Sequence, residues 1–209
     1  MQLFERLAHV RDRWDVLRHP FYRRWSAGDL SREELSFYAG EYRHAVIALA
    51  EASEAVADAC ETAVRAEVEQ HAAEERAHVG LWDRFAAALD ADLDREPLAE
   101  TAECARAWTS ASDSLEGLTI LHCVEAAQPA IAQTKLEGLA DHYGVDRDGP
   151  AGDYFSLHAE LDYEHARQSR ELLEERFVEA DLERLLAAGE RALECNWALL
   201  DGVERRFGR

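Results

Sequence analysis

A chain of 209 residues with 47% apolar side chains can close one substantial core, and its 11 glycines and 4 prolines are too few for a sheet-rich fold with many turns. The formal charge of −20 repels phosphate backbones and anionic lipid surfaces, which argues against nucleic-acid binding and membrane attachment, and no apolar run approaches the ~18 residues of a membrane span. The expectation is an all-α protein, one domain over residues 1–209, folded as a bundle of seven to eight helices.

In chain order, Leu3, Leu7, Val10, Trp14 and Leu17 recur at helical spacing and predict a helix over residues 2–17, interrupted at His19-Pro20, where Pro20 opens a short second helix. "SREE" at 31–34 is a capping box of Ser31 with Glu34, and it starts a long helix through Ala59. Further helices are predicted at about 62–89 and 98–109. Asp113 with Glu116 caps one that runs to about His142, bent at Pro129 and ended by Gly144. Asp153 is expected to cap the next, at about 154–177, and a last helix covers 181–206. Cys60, Cys104, Cys123 and Cys195 are widely spaced and the N-terminus is charged, so reduced thiols in a cytoplasmic protein are expected.

"HAELDYEH" at 158–165 puts His158, Asp162 and His165 at i, i+4 and i+7, within about 60° around a helix, flanked by Leu157 and Leu161. "AAEERAHVGLW" at 72–82 supplies Glu75 and His78 as E-x-x-H, with Glu74 or His71 as alternatives to Glu75. His78 lies on the stripe continued by Trp82, Phe85 and Leu89. Glu125 sits in the most apolar helix, where an unpaired carboxylate costs several kcal/mol and metal ligation relieves it. Glu75, Glu125 and Asp162 bring three negative charges and His78, His158 and His165 three imidazoles without a thiolate, a set that suits two iron ions, with manganese as the alternative. His9, His19, His44, His71, His122 and His142 read as surface or packing residues, His122 being the nearest to an exception, and Tyr22, Tyr38, Tyr42 and Trp25 are expected to line a cavity near the metals. One lysine, Lys135, stands among 23 basic residues; ten residues past Glu125, it lies roughly 80° off the same helical line.

Through "HPFYRRWSAGDLSREELSFYAGEYRHA" at 19–45, "VEAAQPAIAQTKLEGL" at 124–139 and "YFSLHAELDYEHA" at 154–166, the chain resembles the heme-oxygenase-like diiron oxidases, relatives of thiaminase-type and pyrroloquinoline-quinone-synthesis proteins. The resemblance implies about seven helices holding two irons, O2 as co-substrate, and oxidation of a small organic molecule such as an amino acid, a fatty acid or an aromatic precursor. It assigns Glu125, His158, Asp162, His165 and His78 as ligands; the first-helix ligand does not carry over by position, and among Glu75, Glu74 and His71 the choice is Glu75. The branch that forms para-aminobenzoate is similar around Lys135 and Tyr22, where a lysine and a tyrosine support its oxidative chemistry, although the tyrosine it has before the middle glutamate is Val124 here. A small-molecule substrate is the expected partner, with a homodimer as the candidate assembly. Two rival readings are a thiaminase-type hydrolase using Cys123 with Glu41 on a pyrimidine, in which the tyrosine usual after the nucleophile is Ala127, and a bundle protein without turnover.

Overall fold

The first helix is shorter than its apolar repeat: α1 (Gln2–Arg13) stops, and a 3-10 turn at Val16–Arg18 carries the chain to His19, whose ring accepts a hydrogen bond from Phe21 N and caps α2 (Pro20–Ala27). Pro20 takes the first turn of α2, where its missing N–H costs nothing, and Gly28 ends the helix at φ +76°. The computed structural model describes residues 2–209, apart from the side chains of Thr62, Ala63 and Leu161, so the flank expected at Leu161 lies outside the described residues.

The capping box forms as expected: Ser31 Oγ accepts from Glu34 N at 3.2 Å and Glu34 Oε2 accepts from Ser31 N at 2.8 Å, launching α3 (Arg32–Ala59). Then follow α4 (Thr62–Ala88), α5 (Ala99–Thr109), α6 (Ser114–Glu125), α7 (Gln128–His142), α8 (Asp153–Arg176), a 3-10 turn at Glu179–Asp181 and α9 (Leu182–Arg206). Among the described residues this makes nine α-helices rather than seven to eight, and every regular element is helical. The extra break falls at Ala126-Ala127: Pro129 has no N–H to give the Glu125 carbonyl, so the predicted helix over 113–142 becomes two. Asp113 does cap α6, accepting from Glu116 N at 2.9 Å. Asp153 does not cap α8. Gly152 precedes the helix, and the Asp153 carboxylate instead accepts from Arg84 of α4 at 3.1 Å.

The long α3 is the axis of the bundle, its buried stripe packed against α4, α5 and α6, and the core around it is continuous. Indole N–H groups tie the layers to backbone carbonyls: Trp82 to Ala39 O at 2.8 Å, Trp25 to Lys135 O at 3.1 Å and Trp108 to Ala192 O at 3.0 Å. α7 reaches its seat against α2 only because residue 138 is glycine; a Cβ there would stand 2.5 Å from the Trp25 ring. α4 and α8 are neighbours cross-linked by Arg84–Asp153, with the end of α6 against α8. Among the described residues no helix is long and apolar enough to cross a membrane, and the four cysteines are buried and free.

Candidate metal centre

Three helices converge on one dry spot. α4 contributes His71, Glu75 and His78, α8 contributes His158, Asp162 and His165, α6 contributes Glu125 from its last residue, and all seven side chains are buried. The side-chain nitrogens and oxygens form two groups, each with its ligand atoms within 4.8 Å of one another: His71, Glu75, Glu125 and His165, and then Glu75, His78 and His158. Glu75 belongs to both. The ring pairs run in opposite order along the two helices, His71 stacked on His165 at 4.0 Å and His78 against His158 at 4.5 Å, as antiparallel neighbours require.

Both helices carry the same pattern, H-x3-acid-x2-H: His71, Glu75, His78 on α4 and His158, Asp162, His165 on α8. Positions i, i+4 and i+7 share a helical face, so each helix offers three ligands in line. His71 was expected to be a surface or packing residue, or an alternative to Glu75; the structure brings both into the cluster. The duplicated spacing is the signal that would have found it. Glu74, the other alternative, is partly exposed, and its Oε2 lies 2.9 Å from His165 Nε2, outside the cluster. Asp162 meets the cluster through His165, its Oδ1 at 3.6 Å from Nδ1.

The polar accounting of this spot fails without cations. Both oxygens of Glu125, both oxygens of Asp162, His71 Nε2, His158 Nε2 and His165 Nδ1 are buried and lack a hydrogen-bond partner. His71 Nε2 and Glu125 Oε1 lie 2.9 Å apart yet without hydrogen-bonding geometry, as two atoms aimed at a common third body do. Orphaned groups of this kind are rare in native interiors and costly. Carboxylate and imidazole ligands stand about 2.0–2.2 Å from a metal, so two ligands of one ion are at most about 4.4 Å apart, and groups whose atoms lie within 4.8 Å of one another close on an ion with shifts of a few tenths of an ångström. The residues therefore fit a metal centre: His71, Glu75, Glu125 and His165 would hold an ion, Glu75, His78 and His158 form a second such group, and Asp162 stands beside them against His165.

Outer contacts set the imidazoles. His158 Nδ1 donates to the Tyr154 carbonyl at 2.6 Å, leaving Nε2 free to face the centre, and Glu74 holds the far nitrogen of His165. Burial pushes His158 down to about 4, so it is neutral and ready to ligate. Burial also pushes Asp162 up to about 7, against the pull of His165. At His165 burial opposes the charge, but the carboxylates of Asp162, Glu75 and Glu74 hold its proton up to about 11. A site that keeps a buried imidazolium is short of positive charge.

Lys135 is 1% exposed, and Tyr42, Trp82, Tyr38, Phe155 and Tyr22 surround its Nζ with ring centroids 4.6 to 5.7 Å away. Burial pushes the amine down to about 7. The Tyr22 and Tyr38 hydroxyls are 3.1 Å apart, and the Lys135 charge is felt at His158 across this aromatic layer. The tyrosines expected to line a cavity near the metals instead pack around the lysine, with Trp25 fastened to the carbonyl of Lys135.

The residues of the hydrolase reading are engaged otherwise. Cys123 is fully buried and its thiol is pushed up to about 12, far from the thiolate a nucleophile needs. Buried Glu41 accepts from Leu98 N at 2.6 Å and pairs with Arg95 at 2.9 Å, pinning the α4–α5 connection. His122 is a packing residue, its Nδ1 on the Ala166 carbonyl at 3.0 Å and its ring against Phe4.

A helical bundle whose interior gathers histidines and carboxylates from three helices has the donor set of a metal-dependent enzyme. The chain belongs to the family of iron-containing redox enzymes, whose model matches residues 38–197, and it is therefore an oxidoreductase rather than a bundle without turnover. It is 31% identical to the 4-aminobenzoate synthase of Nitrosomonas europaea, over 92% of this chain and 87% of that protein. The fold is heme-oxygenase-like. A domain of unknown function with a heme oxygenase-like fold from Shewanella denitrificans superposes with a TM-score of 0.81 at 19% identity, covering 96% of this chain and 90% of the other. A TenA homologue from P. horikoshii superposes at 0.79 with 17% identity, covering 97% and 98%.

Proposed function

We propose that this chain is an O2-dependent oxidase that holds two irons between α4, α6 and α8 and forms 4-aminobenzoate from a small precursor. The observation that carries the reading is the Glu75 carboxylate shared by two buried ligand groups, with the sole lysine in its aromatic cage beside them. The Nitrosomonas europaea relative bearing that name supports the choice of product. Metal ligands in this reading are His71, Glu75, His78, Glu125, His158, Asp162 and His165. Two bound irons supply the capacity to reduce O2 while the substrate is oxidised.

The chain's own groups do the rest. Lys135, with its amine near 7, presents a substantial unprotonated fraction at neutral pH, so it can accept a proton or act as an amine where an ordinary lysine cannot. The buried Tyr22 hydroxyl, hydrogen-bonded with Tyr38, is held as a neutral phenol by burial and can pass a hydrogen along that contact. The surrounding aromatic rings exclude water from the amine and phenol.

The test is anaerobic loading with ferrous iron, then O2, with metal analysis, O2 uptake and chromatography for 4-aminobenzoate. The expected result is about two irons per chain, O2 uptake and product. Lys135→Met and Tyr22→Phe should still load iron but lose product at least a hundredfold, and Glu75→Ala should lose both ions. Iron-dependent O2 uptake with no 4-aminobenzoate refutes the product; failure to bind iron refutes the centre.

A further inference from the structure

His19 lies outside the metal centre, and its ring is fully buried. Its two nitrogens have opposite duties: Nδ1 accepts from Phe21 N at 3.1 Å, capping α2, while Nε2 donates to Asp201 Oδ1 of α9 at 3.1 Å. The ring meets the Trp197 indole edge-on at 4.7 Å. Only the neutral imidazole protonated at Nε2 makes both bonds, because an accepting Nδ1 must keep its lone pair.

What this cap holds is a wall of the Lys135 cage. α2 is eight residues long, too short to persist without its cap and its packing. Its buried Tyr22 ring stands 5.7 Å from Lys135 Nζ, and the Trp25 indole donates to the Lys135 carbonyl at 3.1 Å. The far end of α2 is fastened differently: Tyr143 Oη donates to Trp25 O at 3.1 Å, and His142 Nε2 donates to Ser26 O at 3.1 Å. Both side chains act there as donors, so an added proton leaves those bonds intact. At His19 the outcome is the reverse. A proton on Nδ1 sets an N–H against the Phe21 N–H and puts a positive charge at the N-terminus of α2, where the helix dipole opposes it.

The charges that reach His19 come from α9: Asp201, half-exposed to water, and Glu204, which is itself paired with Arg24 at 2.8 Å. In the turn before it Arg18 is paired with Asp15 at 3.2 Å, and on α2 the Arg23 side chain is exposed. Loss of water around the ring outweighs the pull of Asp201 and holds the imidazole below its ordinary 6.5. The closed state therefore stays uncharged, and the open state takes up the extra proton as pH falls below 6.5, so closure weakens toward acid.

We propose that His19 is an acid-released latch: protonation of Nδ1 removes the cap, the first turn of α2 opens, and water enters the cage around Lys135 and Tyr22. The latch is a property of the fold and stands whether or not the chain forms 4-aminobenzoate.

The experiment is hydrogen–deuterium exchange of the iron-loaded full chain, read by mass spectrometry on the peptide covering residues 20–27 at pH 7 and pH 5 and corrected for the intrinsic pH dependence of amide exchange. The comparison is His19→Asn, whose amide oxygen caps a helix at either pH. The expected result is that acid lowers protection of this peptide at least threefold more in the wild type than in the variant. Exchange in α8, which carries metal ligands, should respond to acid alike in both chains. A second readout needs no variant: in wild-type protein the Phe21 amide resonance should move with the same midpoint as the His19 imidazole. Protection of α2 indifferent to acid, or lost equally in both chains, overturns the latch, and so does a Phe21 amide that ignores the His19 titration.

Discussion

Replacing Lys135 by methionine should stabilise the protein. The amine is fully buried, and its fall from 10.5 to about 7 is caused by loss of water. At 1.36 kcal/mol per pKa unit, that displacement means charged Lys135 costs the fold roughly 5 kcal/mol. Five aromatic rings within 6 Å of Nζ offset about 1–2 kcal/mol of this by cation–π attraction. Methionine keeps the apolar stem, so the net gain at pH 6.5 is about 3 kcal/mol. The sign with pH follows from linkage. Between about 7 and the unfolded value near 10.5 the unfolded chain binds the extra proton, so wild-type stability rises with pH and the penalty fades. Urea denaturation of metal-free wild type and Lys135→Met, compared at pH 6.5 and pH 10, isolates this group because every other titration is common to both. A variant less stable than wild type at pH 6.5, or a difference that does not shrink toward pH 10, refutes the burial argument.

Removing the outer carboxylate with Glu74→Ala should weaken metal binding about 10–100-fold while leaving the fold intact, because it frees His165 Nε2 rather than a ligand atom; chelator competition measures it. His71→Ala and His158→Ala each strip one of the two ligand groups, so each should retain about one ion per chain by metal analysis, where a chain that keeps two shows that the residue is no ligand. Gly138→Ala forces a methyl against the Trp25 indole and should cost about 1–3 kcal/mol in urea denaturation; an unchanged midpoint would mean that α2 and α7 part easily. Cys123, its thiol pushed up to about 12, should resist alkylation by iodoacetamide at pH 8 in folded protein and react promptly once unfolded.

The helices were legible because their signals are local. Ser31 and Glu34 satisfy each other's backbone three residues apart, Pro20 and Gly28 bracket α2, and Leu3 and Leu7 fall on one face whatever surrounds them. Where the reading missed, the deciding contact was distant in sequence or the local rule had two outcomes. Pro129 dictates a lost hydrogen bond, but whether the helix bends or divides depends on how α7 seats against Trp25. Asp153 has the chemistry of a cap and is drawn away by Arg84, 69 residues earlier.

The sequence by itself determined that carboxylates and imidazoles stand at i, i+4 and i+7 on one helix and that Glu125 lies in an apolar one, since helical period and hydropathy need no tertiary information. Only the tertiary structure decided that α4 and α8 run antiparallel with His71 against His165, that Glu75 and not Glu74 turns inward, and that Lys135 is caged. The physical reason is one of range: periodicity fixes which side chains share a face, whereas the packing of helices far apart in sequence fixes which faces meet, and a charge becomes costly enough to demand a partner only after that packing has expelled the water.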